Sequence, residues 1–132
     1  MSKDGKISKT SAVLLVVALS THSIFEGIAL GLQKEFGETW KLSLGIVLHH
    51  IPAAISLGST CCRSGYSIKL QVALLCLFAA CVPIGTIIGY FLEGSSDIVE
   101  VVFMGLSAGT FIYVSCTEII THEFELRHRQ WL

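Results

Sequence analysis

The chain has 132 residues, of which 52% are apolar and 14% charged, with nine Lys and Arg against ten Asp and Glu. Soluble domains carry about 25% charged residues, so this balance excludes a disordered chain and a strongly basic nucleic-acid binder. With a mean hydropathy of +0.70, an integral membrane protein is the class the composition predicts.

Four apolar stretches follow one another and predict spans at about 12–32, 42–60, 70–92 and 99–120. Each is close to the roughly 20 residues a helix needs to cross a bilayer, and lipid offers no partner to an open backbone, so each reads as helix. The expected fold is an all-α, polytopic transmembrane bundle of about four spans, with residues 1–132 forming a single transmembrane domain. The arm holding Lys3, Lys6 and Lys9 has the charge of a signal-peptide leader. The apolar run after it is too long for one and contains His22 and Glu26, so a retained span is expected. Short polar links at 33–41 (with Gly37 and Trp40), 63–69 (with Gly65 and Tyr66) and 93–97 separate the spans, and a polar tail runs from His122.

The pairs Gly27 and Gly31, Gly85 and Gly89, Gly105 and Gly109, and Ala54 and Gly58 are four apart. They predict surfaces where helix backbones approach closely. The five cysteines are odd in number, and adjacent Cys61 and Cys62 lack a matching second pair. Small buried side chains are therefore expected rather than disulfides or a zinc knuckle.

Charge predicts the orientation. If all four stretches span, Lys3, Lys6, Lys9, Arg63, Lys69, Arg127 and Arg129 share one side, while only Lys34 and Lys41 lie on the other. The positive-inside rule places both termini in the cytosol. The composition does not name the membrane, plasma or organellar.

The informative residues are those that do not belong in lipid. His22 and Glu26 stand four apart in the first span, one helical turn on the same face. A carboxylate at mid-bilayer costs roughly 2.5–3.5 kcal/mol on insertion scales. No Lys or Arg lies inside any span to offset it, so a cation is the natural partner. The second span adds His49 and His50, followed by Pro52, which cannot donate to the carbonyl of Leu48 and is expected to break the helix there. His22 and Glu26, with His49 or His50, form an imidazole and carboxylate set suited to Zn²⁺ and related divalent ions. The plainer alternative is a His–Glu hydrogen bond that only fixes packing. Intramembrane ionisable groups are functional by default, and the clustering on two consecutive spans favours metal or proton handling. In the fourth span, Glu118 with His122 one turn later is a candidate relay or a simple interface acid. The third span carries no ionisable group, and Pro83 lies near its middle.

The run from His22 to Gln33 (HSIFEGIALGLQ) resembles the fourth-span signature of the ZIP family of zinc and iron transporters, and the run from His49 to Gly58 (HHIPAAISLG) its fifth. Val82 to Gly85 (VPIG) and Gly105 to Glu118 (GLSAGTFIYVSCTE) are similar to elements of its sixth and seventh spans. The resemblance implies a divalent metal substrate, chiefly Zn²⁺ with Fe²⁺ or Mn²⁺ as family alternatives, moved toward the cytosol without an organic cofactor. It implies His22, Glu26 and His49 as primary ligands, Ser23 and His50 as flanking positions, and Pro52 and Pro83 as breaks where helix groups move. Ala53 and Val82 stand where many members carry carboxylates, which implies one metal rather than two. The family has eight spans, so the chain corresponds to an incomplete portion of a larger fold, which assembly with the remaining spans or with a second copy would complete. A non-transporting metal sensor or regulatory partner of a full-length transporter is the alternative. A membrane metal hydrolase is disfavoured because no HExxH is present.

Overall fold

The computed structural model of the chain describes residues 9–92, 94 and 97–130, with the backbone alone described for Ser11 and for residues 118–130. Four helices follow in order: α1 (Lys9–Gly31), α2 (Phe36–Arg63), α3 (Ile68–Phe91) and α4 (Asp97–Gln130). No strand occurs among the described residues. Each helix contains a segment long and apolar enough to cross a membrane: Ala12–Gly31, Phe36–Arg63, Ile68–Phe91 and Asp97–Thr117. The chain is an all-α, multi-pass membrane bundle.

The helix ends differ from expectation in two places. The first link is short, because α2 begins at Phe36 and takes Gly37 and Trp40 into its first turns. The Glu35 carbonyl accepts the backbone N–H groups of Glu38 and Thr39 and the Thr39 hydroxyl at 2.9 Å. Glu38 in the first turn also complements the positive end of the helix dipole. At the other end, the polar tail continues α4 to Gln130, as its Glu, Leu and Arg content permits. The expected breaks at Pro52 and Pro83 do not occur: both prolines lie inside uninterrupted helices. Each removes a single intrahelical bond, and the intact turns on either side carry the helix through. The two tight links turn at Gly65 (φ 71°) and Gly94 (φ 103°), a conformation that costs a side chain but not glycine.

Helix α1 is the hub and packs against all three others. A core of Val16, Leu19, Leu57, Cys61, Phe78 and Val114 draws on every helix. The tightest contact is between α1 and α3, which run parallel. Gly27 faces the Val82 carbonyl, Gly31 that of Thr86, Gly85 that of Ile24 and Gly89 that of Ile28. A Cβ at any of the four would meet opposing backbone well inside van der Waals contact. Without side chains the helices close to the separation at which Cα–H···O contacts form. Only half of the expected small-residue pairs act this way. Gly105 and Gly109 on α4 and Gly58 on α2 have open space around them, whereas Ala54 packs against the core. The five cysteines are all unpaired: Cys61 and Cys81 are buried, and Cys62, Cys76 and Cys116 lie on the outer surface. Apolar side chains such as Leu48, Ile51 and Ile55 on α2 and Val101 and Ile112 on α4 face outward, as lipid-facing or helix-facing positions require.

Gly27→Val is expected to destabilise the bundle by about 1–3 kcal/mol through overpacking against backbone that cannot yield, whereas Gly105→Ala, with nothing within 4 Å, is expected to be neutral. Thermal unfolding of the two variants in the same detergent, followed by helical circular dichroism, checks the contrast.

Candidate metal centre

The site grows out of the α1–α3 seam. Gly27 faces α3, and successive residues on a helix are about 100° apart. Glu26 is therefore turned away from the seam, and His22, four residues earlier, shares its face. Both are 5% exposed and Ser23 is fully buried. Helix α2 runs back alongside and brings His49 and His50 to the same level.

The geometry separates the two α2 histidines. His49 Nε2 lies 2.6 Å from Glu26 Oε1, whereas His50 Nδ1 lies 3.8 Å from Glu26 Oε2. His22 Nε2 is 3.9 Å from Glu26 Oε2. One ligand atom each from His22, Glu26 and His49 lie within 4.8 Å of one another. The His50 ring is stacked on Phe78, with centroids 4.5 Å apart and planes 6° from parallel, which holds it beside the carboxylate and outside that triangle. Of the two α2 histidines, His49 is the one grouped with His22 and Glu26.

Hydrogen bonding orients the donors. His49 Nδ1 is 2.7 Å from the Gly45 carbonyl oxygen. A carbonyl only accepts, so Nδ1 carries a hydrogen, and Nε2 is the ring atom turned toward Glu26. The approach to the carboxylate lacks hydrogen-bond direction: among the described residues His49 Nε2 has no hydrogen-bond partner, and neither do His22 Nε2, Glu26 Oε2 or His50 Nε2. Buried polar atoms are normally paired, and leaving several unpaired in one place costs about 1–3 kcal/mol each. A buried carboxylate and imidazole nitrogens that converge on a shared space suit a positive charge among them. At 3.9 Å, His22 and Glu26 are too far apart for the packing hydrogen bond that the sequence also allowed.

Helix α4 closes the third side. His22 Nδ1 sits 3.1 Å from the Ser107 carbonyl and 3.2 Å from Thr110 Oγ1. The Phe111 ring lies 5.4 Å from that of His22 and 5.2 Å from that of His49. Sequence reasoning missed these α4 residues, since none is titratable. The small and hydroxylated run from Ser107 to Thr110 (SAGT), unusual between large apolar residues, was the available signal. Of the other expected residues, Ser23 is buried beside the cluster with a hydroxyl that makes no hydrogen bond among the described residues. Pro52 and Pro83 face outward on helices that stay intact. Glu118 and His122 belong to α4 but lie outside the residues whose side chains are described.

Glu26→Gln keeps the shape of the site and removes its negative charge. It is expected to weaken binding of a divalent ion at least tenfold, the effect of losing roughly 1.4 kcal/mol, while His50→Ala is expected to cost less because His50 stands outside the triangle. Calorimetric titration of each variant in detergent measures both.

The model of the ZIP zinc transporter family matches residues 2–132. The chain is 36% identical over 115 residues to zinc transporter ZIP3 of Bos taurus, a match covering 84% of this chain and 37% of the relative. It is 36% identical over 124 residues to zinc transporter 1 of Oryza sativa subsp. japonica, covering 89% and 35%. It is 33% identical over 117 residues to human zinc transporter ZIP2, covering 85% and 38%. The chain therefore spans a little over a third of the length of these relatives. No solved structure matches it. A buried His–Glu–His cluster on two apolar helices, in a chain matched almost end to end, places this protein in the ZIP zinc transporter family.

Proposed function

We propose that this chain forms the metal-binding part of a membrane transporter that moves divalent metal, chiefly Zn²⁺, toward the cytosol. The observation that carries this reading is the convergence of His22, Glu26 and His49, from two helices, on one buried space. Membership of a family whose relatives are named zinc transporters supports the substrate. Three protein ligands leave room for water in the shell. A site with few ligands can release its ion, as conduction requires. Imidazole also serves Fe²⁺ and Mn²⁺, so these are candidate secondary substrates.

No covalent chemistry is involved, and the protein is not an enzyme in this reading. The ion exchanges part of its water for two imidazoles and a carboxylate. Ser23 and His50 flank the position, and Glu118 with His122 offers a relay toward the α4 C-terminus. One ion is held, since Ala53 and Val82 supply no further carboxylate. Both termini face the cytosol, as the seven basic residues of the N-terminal arm, the second link and the tail suggest. The open faces around Gly105 and Gly109 are suited to further spans or to a second copy.

Histidine binds metal in its neutral form and glutamate as carboxylate, so protons compete with the ion. Binding is expected to be full at about pH 7.5 and to fall as pH drops toward about 5.5, where ordinary histidine is largely protonated. Radioactive zinc uptake into vesicles, paired with calorimetry on the wild type and on a His22→Ala, Glu26→Ala double variant, tests the whole reading. The expected result is about one bound ion, lost in the variant together with uptake. Binding without uptake would instead favour the sensor reading, and equal binding by both proteins would remove the site.

A further inference from the structure

The contacts that α4 makes with His22 do more than fill space. The Ser107 carbonyl, 3.1 Å from His22 Nδ1, only accepts, so this nitrogen carries the hydrogen. Thr110 strengthens the same choice. Its hydroxyl donates to its own helix, with the carbonyls of Leu106 and Ser107 each at 2.9 Å. The oxygen lone pairs are then left to face His22 Nδ1 at 3.2 Å. A neutral imidazole has one N–H, and with that hydrogen at Nδ1 the lone pair belongs to Nε2, the atom on the Glu26 side. This is the tautomer less favoured by histidine in free solution, so the protein selects it. The α4 segment is itself held against α1 further along the helix pair: Phe25 and Phe103 pack with ring centroids 6.1 Å apart, and Gln33 Nε2 donates to Glu100 Oε1 at 2.8 Å.

We propose that Thr110 is a positioning residue that, with the Ser107 carbonyl, holds His22 in the Nδ1–H tautomer and so aims Nε2 at the divalent ion. Thr110 lies outside the ligand triangle and acts through His22. The inference rests on the reading of His22, Glu26 and His49 as a metal site, and it adds a third helix to the two that supply ligands. Partners behind ligating histidines of this kind commonly govern affinity by 10–100-fold.

The test uses the full chain in micelles with ¹⁵N-labelled histidine, comparing wild type, Thr110→Val and Thr110→Ser, with His22→Ala to assign the His22 signals. Thr110→Val keeps the side-chain shape and removes the acceptor, and Thr110→Ser keeps the acceptor. Zinc-free spectra read the tautomer directly, and a zinc titration of each protein follows. The expected result is an Nδ1–H ring in wild type and Thr110→Ser, and a mixture of tautomers in Thr110→Val with zinc binding weakened about tenfold. An unchanged tautomer in Thr110→Val overturns the proposal. So does a changed tautomer with undiminished zinc affinity while His22→Ala still abolishes binding. If His22→Ala binds zinc as wild type does, the metal reading fails, whereas the tautomer comparison still decides what Thr110 does to the ring. Should Thr110→Val lose its helical content, Thr110→Ala takes its place in both measurements.

Discussion

The close approach of α1 and α3 over Gly27, Gly31, Gly85 and Gly89 is the constraint on which the rest of the bundle depends. It sets more than a distance. Two helices that touch backbone to backbone cannot rotate about their axes without bringing a side chain into the gap. The rotation of α1 is therefore settled by its glycines, and with it the direction of every other α1 side chain. Glu26 precedes Gly27, so it points about 100° away from the seam. The helices left to receive it are α2 and α4, and they bring imidazoles on one side and hydrogen-bonding oxygens on the other.

Charge is the second organising quantity. Among the described residues the ion-pair partners of the buried carboxylate of Glu26 are the imidazoles of His22, His49 and His50, not Lys or Arg. Such an arrangement is a poor core, with several buried polar atoms left unpaired among the described residues. The protein part is held ready by contacts from outside: the Gly45 carbonyl behind His49, the Ser107 carbonyl and Thr110 hydroxyl behind His22, and Phe78 under His50. These partners come from the two neighbouring helices and from α2 itself. The orientation of the cluster is thus a property of the packed bundle, and only its side-chain types belong to the motifs.

A good deal of this was legible in the residues. Length and hydropathy were enough for four helices, because lipid permits little else. Ligand types and the four-residue spacing of His22 and Glu26 were enough for the shared face. Two expectations failed for one reason. Pro52 was read as a break and Gly37 as a turn because each is unfavourable to helix locally, yet a long helix with many intact turns absorbs a single unfavourable residue. The glycine pairs failed by half, since spacing marks a surface capable of close approach without naming what approaches it.

The sequence by itself determined the membrane class of the chain, its four helices long and apolar enough to span, and the side-chain chemistry of the buried cluster. All of these follow from side-chain type and from the fixed period of a helix. Which small residues meet, which of His49 and His50 reaches Glu26, and which α4 atoms stand behind His22 were decided only by the tertiary structure. Those outcomes depend on how helices rotate and slide against one another, and that is set by packing between residues up to 88 positions apart, a relation no local pattern records.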